Sequence, residues 1–124
     1  HGARFVATTL ELLGCQVRIT GHSGRPGVVP VVLAKMTANA PQAKEGEERE
    51  CVVIYGHYDV AFAEPSNWAS DPFTLQGRDG YLYGRGVSDD KGPILACFFA
   101  AKALRDRGEL KVDVAFIVEG EEES

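Results

Sequence analysis

Val112-Asp-Val-Ala-Phe-Ile-Val118, followed at once by Glu119-Gly-Glu-Glu-Glu-Ser124, decides the reading of this chain. The first seven residues are an almost continuous apolar, β-branched and aromatic run. That is the pattern of a strand covered on both faces. The next six place carboxylates at the carboxyl end of the strand, where open α/β sheets bind their ligands. Like charges packed this closely repel one another unless water or metal cations neutralise them. In isolation the run reads first as an acidic, solvated tail, and the rest of the chain changes that.

Upstream, Ile94, Cys97, Phe98, Ala101 and Leu104 form one apolar helical face. Pro93 suits the first turn of this helix, Arg105 and Arg107 suit its end, and Gly108 stops it. A short strand over 81–83 follows the turn Arg78-Asp-Gly-Tyr81. Residues 60–80 form a long connection of the kind that is more often functional than accidental. Residues 51–55, Cys-Val-Val-Ile-Tyr, read as a second buried-type strand, so the strand at 51, the helix at 93 and the strand at 112 make a right-handed crossover unit. Residues 38–50 are a polar, exposed connection. Before it lie a strand within 28–37, a turn over 21–27 and a strand over 15–20. A helix over 3–13 comes first, in which Phe5, Val6, Thr9, Leu12 and Leu13 recur at helical spacing and Gly14 is a natural C′ residue. The expected class is α/β, a mixed central sheet with helices on its faces.

At 124 residues the chain is long enough for one domain with a modest core. Hydrophobic content of 44% and charged content of 25% are those of a soluble globular protein. A net charge of −5 argues against general affinity for nucleic acid or anionic membrane surfaces. There is no apolar run long enough to span a bilayer and no signal-peptide pattern. Cys15, Cys51 and Cys97 are widely spaced and form no Cys-x-x-Cys pair. They read as buried, reduced, inert thiols and point to a cytoplasmic setting. The chain begins at His1 and stops at Ser124, directly after the acidic cluster, so the expectation is an internal piece of a longer protein.

Three motifs carry chemistry. In Gly56-His-Tyr-Asp-Val60, His57 and Asp59 are two apart, so in extended backbone they share a side. One could ligate a metal while the other orients its imidazole; the plain alternative is a surface histidine and a turn aspartate. In Gly84-Arg-Gly-Val-Ser-Asp-Asp-Lys-Gly-Pro93, Asp89 and Asp90 precede the helix. One could face a metal while the other caps the helix N-terminus. The stretch is not a phosphate loop, since it lacks Gly-x-x-x-x-Gly-Lys-[Ser/Thr]. In the terminal cluster Glu122 and Glu123 are neighbours whose side chains diverge, so one could bind a metal while the other handles a proton. One imidazole and several carboxylates, without thiolate, favour zinc, manganese or cobalt.

Gly-His-Tyr-Asp-Val, Trp68-x-x-Asp-Pro-Phe73, the run from Asp79 to Pro93, and Glu-Gly-x-Glu-Glu-Ser, in this order, resemble the dizinc metallopeptidase family of carnosinases, cytosolic dipeptidases, aminoacylases and carboxypeptidase G. The likeness is dense over 57–124 and looser before it. Gly-Val-Ser-Asp-Asp-Lys-Gly-Pro and Val-Glu-Gly-Glu-Glu-Glu-Ser look most like the fungal subunit that joins a glutamine-amidotransferase-like partner to degrade glutathione. The resemblance implies two zinc ions (manganese or cobalt as alternatives), with His57 a ligand of one, Asp89 bridging both and Glu123 a ligand of the other. It implies that Asp59 holds His57 and that Glu122 is the general base for hydrolysis of a small peptide. It gives Asp90 and Glu121 no metal role. It also implies that residues 1–124 are the N-terminal portion of a zinc-exopeptidase-like catalytic domain. The remaining ligands and a smaller lid or dimerisation domain would lie outside the chain, and the segment alone would bind zinc weakly and be inactive. The implied assemblies are a homodimer or a complex with the amidotransferase-like subunit. A non-catalytic scaffold of the same fold is the competing reading; a nucleotide-binding domain is disfavoured by the missing phosphate loop.

Overall fold

Helix α1 (Gly2–Leu12) forms where the sequence places it, and Gly14 takes the left-handed φ of +88° that ends it. The buried stripe differs from the expected one. Ala3, Val6, Ala7 and Leu10 face the core, whereas Phe5 and Leu12 are exposed. Small residues at 3 and 7 let the helix approach the sheet closely, and the larger Phe5 lies outside that contact. The computed structural model describes residues 1–21, 27–39 and 49–124. Most of the turn expected over 21–27 and of the connection expected over 38–50 lies outside the described residues.

The strands β1 (Gln16–Thr20), β2 (Val31–Met36), β3 (Cys51–His57) and β6 (Asp113–Glu119) form one sheet in the order β1-β2-β6-β3. The first three neighbours pair antiparallel, and β6 and β3 pair parallel. The sheet is therefore mixed, as expected. Between β3 and β6 the chain makes a hairpin of β4 (Gln76–Arg78) and β5 (Tyr81–Tyr83), turning at Asp79 and Gly80, both with positive φ. Helix α2 (Gly92–Asp106) then returns the chain to the sheet.

One face of the sheet carries the core. Val32, Ala34 and Met36 of β2 and Val114, Phe116 and Val118 of β6 pack with Leu10 of α1 and Ile94, Phe98 and Ala101 of α2. Phe98 meets Phe116 edge-on, with ring centroids 4.9 Å apart. Both helices thus serve the same face among the described residues. On β6 the alternate residues Ala115 and Ile117 are only half-buried. The strand expected to be buried at 51–55 is an exposed edge, with Val53 59% and Tyr55 55% accessible. Its apolar run suits two-sided cover, but β6 is its one sheet neighbour among the described residues. The cysteine expectation is corrected with it: Cys15 is buried, Cys97 half-buried and Cys51 exposed.

Asp113 ties the start of β6 to the rest of the sheet. Its buried carboxylate accepts the Ala38 N–H at 2.9 Å and pairs with Lys35 at 2.7 Å and Arg49 at 3.3 Å. These partners, the Ala38 amide foremost, hold its pKa down at about 2. A depressed carboxylate pKa contributes stability that is complete above the unfolded value near 4 and disappears as pH falls through about 2. Asp113→Ala should therefore cost about 2 kcal/mol at pH 7. Urea denaturation should show the gap between the two proteins closing between pH 4 and pH 2; a gap independent of pH would contradict this role.

Candidate active site

Parallel register builds the site. His57, the last residue of β3, stands opposite Glu119, the last residue of β6. The two chains leave the sheet side by side, and the Tyr58 N–H donates to the Glu119 carbonyl at 2.8 Å. Residues 58–59 and 120–123 are therefore neighbours at the carboxyl edge, where α/β sheets gather their ligands.

The third part of the site comes from the turn before α2. Gly86 adopts a φ of +88°, and residues Val87–Lys91 form one wide helical turn in which Asp89 alone is extended. The segment 68–73 braces this turn. Asp71 accepts the Phe73 N–H at 3.0 Å and the Thr74 hydroxyl at 2.7 Å, closing a local turn. The Pro72 carbonyl accepts the Arg85 N–H at 2.7 Å, and the Arg85 guanidinium lies over the Trp68 ring at 5.6 Å. That part of the family-like sequence is thus scaffold for the turn that presents Asp89.

His57 is buried, and both of its ring nitrogens face carboxylates. Nδ1 lies 3.2 Å from Asp59 Oδ1, and Nε2 lies 3.0 Å from Asp89 Oδ1 and 3.9 Å from Glu122 Oε2. Burial of the ring opposes its charge, but the hydrogen bond to Asp89 and the fields of Asp59, Glu122 and Asp90 outweigh that, and its pKa stands above the ordinary value. Burial would raise Asp59, yet the backbone amides of Glu123 and Glu122 and the nearby imidazole hold it below the usual carboxylate range. The Glu123 N–H reaches Asp59 Oδ2 at 2.9 Å. Asp59 therefore orients the histidine with one oxygen and anchors the acidic segment with the other.

Each residue singled out from sequence is thus located. His57, Asp59, Asp89 and Glu122 converge through their side chains. Glu123 enters through its backbone, and its carboxylate makes no hydrogen bond or ion pair among the described residues. Asp89 is 73% exposed at the side chain, open to solvent opposite His57. Asp90 caps no helix; its Oδ2 accepts the His57 N–H at 3.2 Å.

Tyr58 was not anticipated. Its hydroxyl donates to the Pro30 carbonyl at 2.6 Å, and its ring lies against Gly2 and Gly120. A β-carbon on Gly120 would stand 2.3 Å from Tyr58 Cζ, so only glycine lets the acidic segment pass under the ring. The period-two pattern gave a hint: between two residues that face the site, Tyr58 faces away. Tyr55 was also missed; its hydroxyl donates to the Glu119 carboxylate, and that bond, with the neighbouring acids, pushes its pKa up to about 12.

The sequence pattern of Peptidase family M20/M25/M40 matches residues 53–124. This chain belongs to that family. Within the family it is 45% identical over 96 residues to a probable di- and tripeptidase, DUG2, of Saccharomyces cerevisiae, a match covering 76% of this chain and 11% of that protein. It is 37% identical over 125 residues to a cysteinylglycine-S-conjugate dipeptidase of Corynebacterium striatum, covering 99% and 25%. Among solved structures, human carnosine dipeptidase 1 superposes with a TM-score of 0.78 at 36% identity, covering 98% of this chain and 26% of that one. An M20 family metallo-carboxypeptidase from Sulfolobus solfataricus gives 0.81 at 36% identity, covering 98% and 25%. The chain spans about a tenth to a quarter of the length of these relatives.

An M20/M25/M40 peptidase uses divalent metal, and the donor set here suits one. Two donors of a tetrahedral ion with bonds of 2.0–2.2 Å stand about 3.3 Å apart. His57 Nε2 and Asp89 Oδ1, at 3.0 Å, are close to that spacing. The carboxylate on Nδ1 is the usual partner of a metal-binding imidazole, fixing its tautomer and orientation. Among the described residues no group of three or more His, Cys, Asp or Glu side chains is already arranged around one ion position. What the chain presents is a preset pair, with Glu122 adjacent and the Glu123 carboxylate free.

Proposed function

We propose that this chain is the N-terminal portion of the catalytic domain of a zinc-dependent exopeptidase or dipeptidase that cleaves the amide bond of a small peptide. The observation that carries the proposal is His57, buried at the carboxyl edge of the sheet with Asp59 on one ring nitrogen and Asp89 on the other. His57 and Glu123 would each hold one of two zinc ions, and Asp89 would bridge them; manganese or cobalt suits the same donors. When bound, such a pair polarises the scissile carbonyl and makes water a nucleophile near neutral pH.

The chain's own residues supply the rest. Asp59 keeps the Nδ1 proton in place, so that Nε2 is the nitrogen presented to metal. Glu122, half-exposed and 3.9 Å from Nε2, takes the proton of the attacking water and returns it to the leaving amine. The di- and tripeptidase and dipeptidase names of the relatives support a substrate of two or three residues, and the resemblance of the motifs to the fungal subunit points to glutathione-related peptides among them. Further segments would complete the ligand set and supply the lid or dimerisation domain, and the partner would be a second copy or an amidotransferase-like subunit. The described cysteines are unpaired, which supports a cytoplasmic setting. No helix among the described residues is long and apolar enough to cross a membrane.

Metal removal tests the proposal. Dipeptide hydrolysis by a full-length protein carrying this chain should vanish on chelation and return with zinc. The isolated 124-residue chain should not turn over, because it offers each ion one terminal ligand plus a bridge. Hydrolysis that survives chelation, or substantial zinc-dependent turnover by the isolated chain, would overturn the reading.

A further inference from the structure

We propose that Asp90 is a positioning residue that sets the separation of His57 from Asp89 by gripping the His57 backbone, and that Gly56 exists to admit it. The Tyr58 N–H points into the sheet, to Glu119. Amides alternate in direction along a strand, so the His57 N–H points away from β6, towards the open edge. A half-buried edge amide needs a partner. Asp90 Oδ2 provides it at 3.2 Å, reaching across from the turn before α2.

Space for this contact is specified. A β-carbon on Gly56 would stand 2.5 Å from the same Asp90 oxygen and 2.7 Å from Ile94 Cδ1. Ile94 is buried in the core on the first turn of α2, so it cannot retreat without cost. Gly56 has no φ in the left-handed region; what requires glycine is the approach. Asp90 directly follows Asp89 in the chain. One side chain thereby fastens the backbone of one expected zinc ligand to the neighbour of the other, and the 3.0 Å approach of Nε2 to Asp89 Oδ1 follows from the brace. Sequence reading offered Asp90 only as a possible helix cap, because a contact with a backbone amide leaves no trace in side-chain spacing.

The inference rests on the zinc reading, and its test separates the two. In metal-free protein, the His57 amide should be protected from hydrogen exchange, lose that protection in Asp90→Ala and in Gly56→Ala, and keep it in Asp90→Asn, whose amide oxygen still accepts. By calorimetric titration, zinc affinity should fall about tenfold or more in the first two variants and be restored in Asp90→Asn. Unchanged zinc affinity in Asp90→Ala, or an equal loss in Asp90→Asn, overturns the proposal. Full-length wild-type protein carrying this chain that takes up no zinc overturns the functional reading instead; unchanged His57 protection in Asp90→Ala then overturns the brace on its own.

Discussion

Asp89→Ala is expected to lower the zinc affinity of this protein by more than about 100-fold, since loss of a mere supporting partner already costs 10–100-fold. Asp89 is the carboxylate nearest to His57 Nε2, at 3.0 Å, while Glu122 stands 0.9 Å further off. Its side chain is largely exposed, so truncation removes little packing and leaves the fold stable. That separates a metal role from a structural one. Calorimetric titration with zinc, paired with urea denaturation of the metal-free protein, should show affinity lost and stability within about 0.5 kcal/mol of the parent. Equal zinc affinity in the two proteins would remove Asp89 from the site.

The second large effect is structural and falls on the opposite wall. Gly120→Ala places a methyl group 2.3–2.5 Å from the Tyr58 ring and hydroxyl. The ring cannot swing aside freely, because its hydroxyl is held by Pro30. Overpacking of this kind costs about 1–3 kcal/mol. The displaced segment carries Glu122 and the Glu123 amide that binds Asp59, so zinc affinity should fall with stability. Tyr58→Ala combined with Gly120→Ala relieves the clash, and the double variant should be less unstable than the sum of the single losses. Denaturation midpoints of the four proteins measure this. Additive losses would mean that ring and glycine do not meet.

Much of the fold was legible because its signals are local. The run 112–118 has the β-branched, apolar composition of a strand, and Pro93 and Gly108 bracket α2 from sequence chemistry alone. The side-chain part of the site was legible for the same reason. Two-residue spacing put His57 and Asp59 on one side, and the crossover brought Asp89 and the acidic cluster to the same edge. What escaped is what depends on tertiary partners. Cys51 to Tyr55 carry the composition of a buried strand, but composition does not state how many neighbours a strand has, and β3 is an edge among the described residues. In α1 the expected stripe through Phe5 and Leu12 gives way to one with alanines at 3 and 7, which close packing against the sheet favours. The grip of Asp90 and the clamp of Tyr58 involve backbone atoms and glycines, whose roles appear only once the chain is folded.

The location of bound zinc tests the central claim most directly. Crystals of the protein grown with zinc and measured at the zinc absorption edge should show anomalous density about 2.0–2.2 Å from His57 Nε2 and from an Asp89 oxygen. The direct contact now seen between those two atoms should be replaced by the ion. Zinc found instead at the exposed Cys51, with the His57–Asp89 hydrogen bond intact, would contradict it.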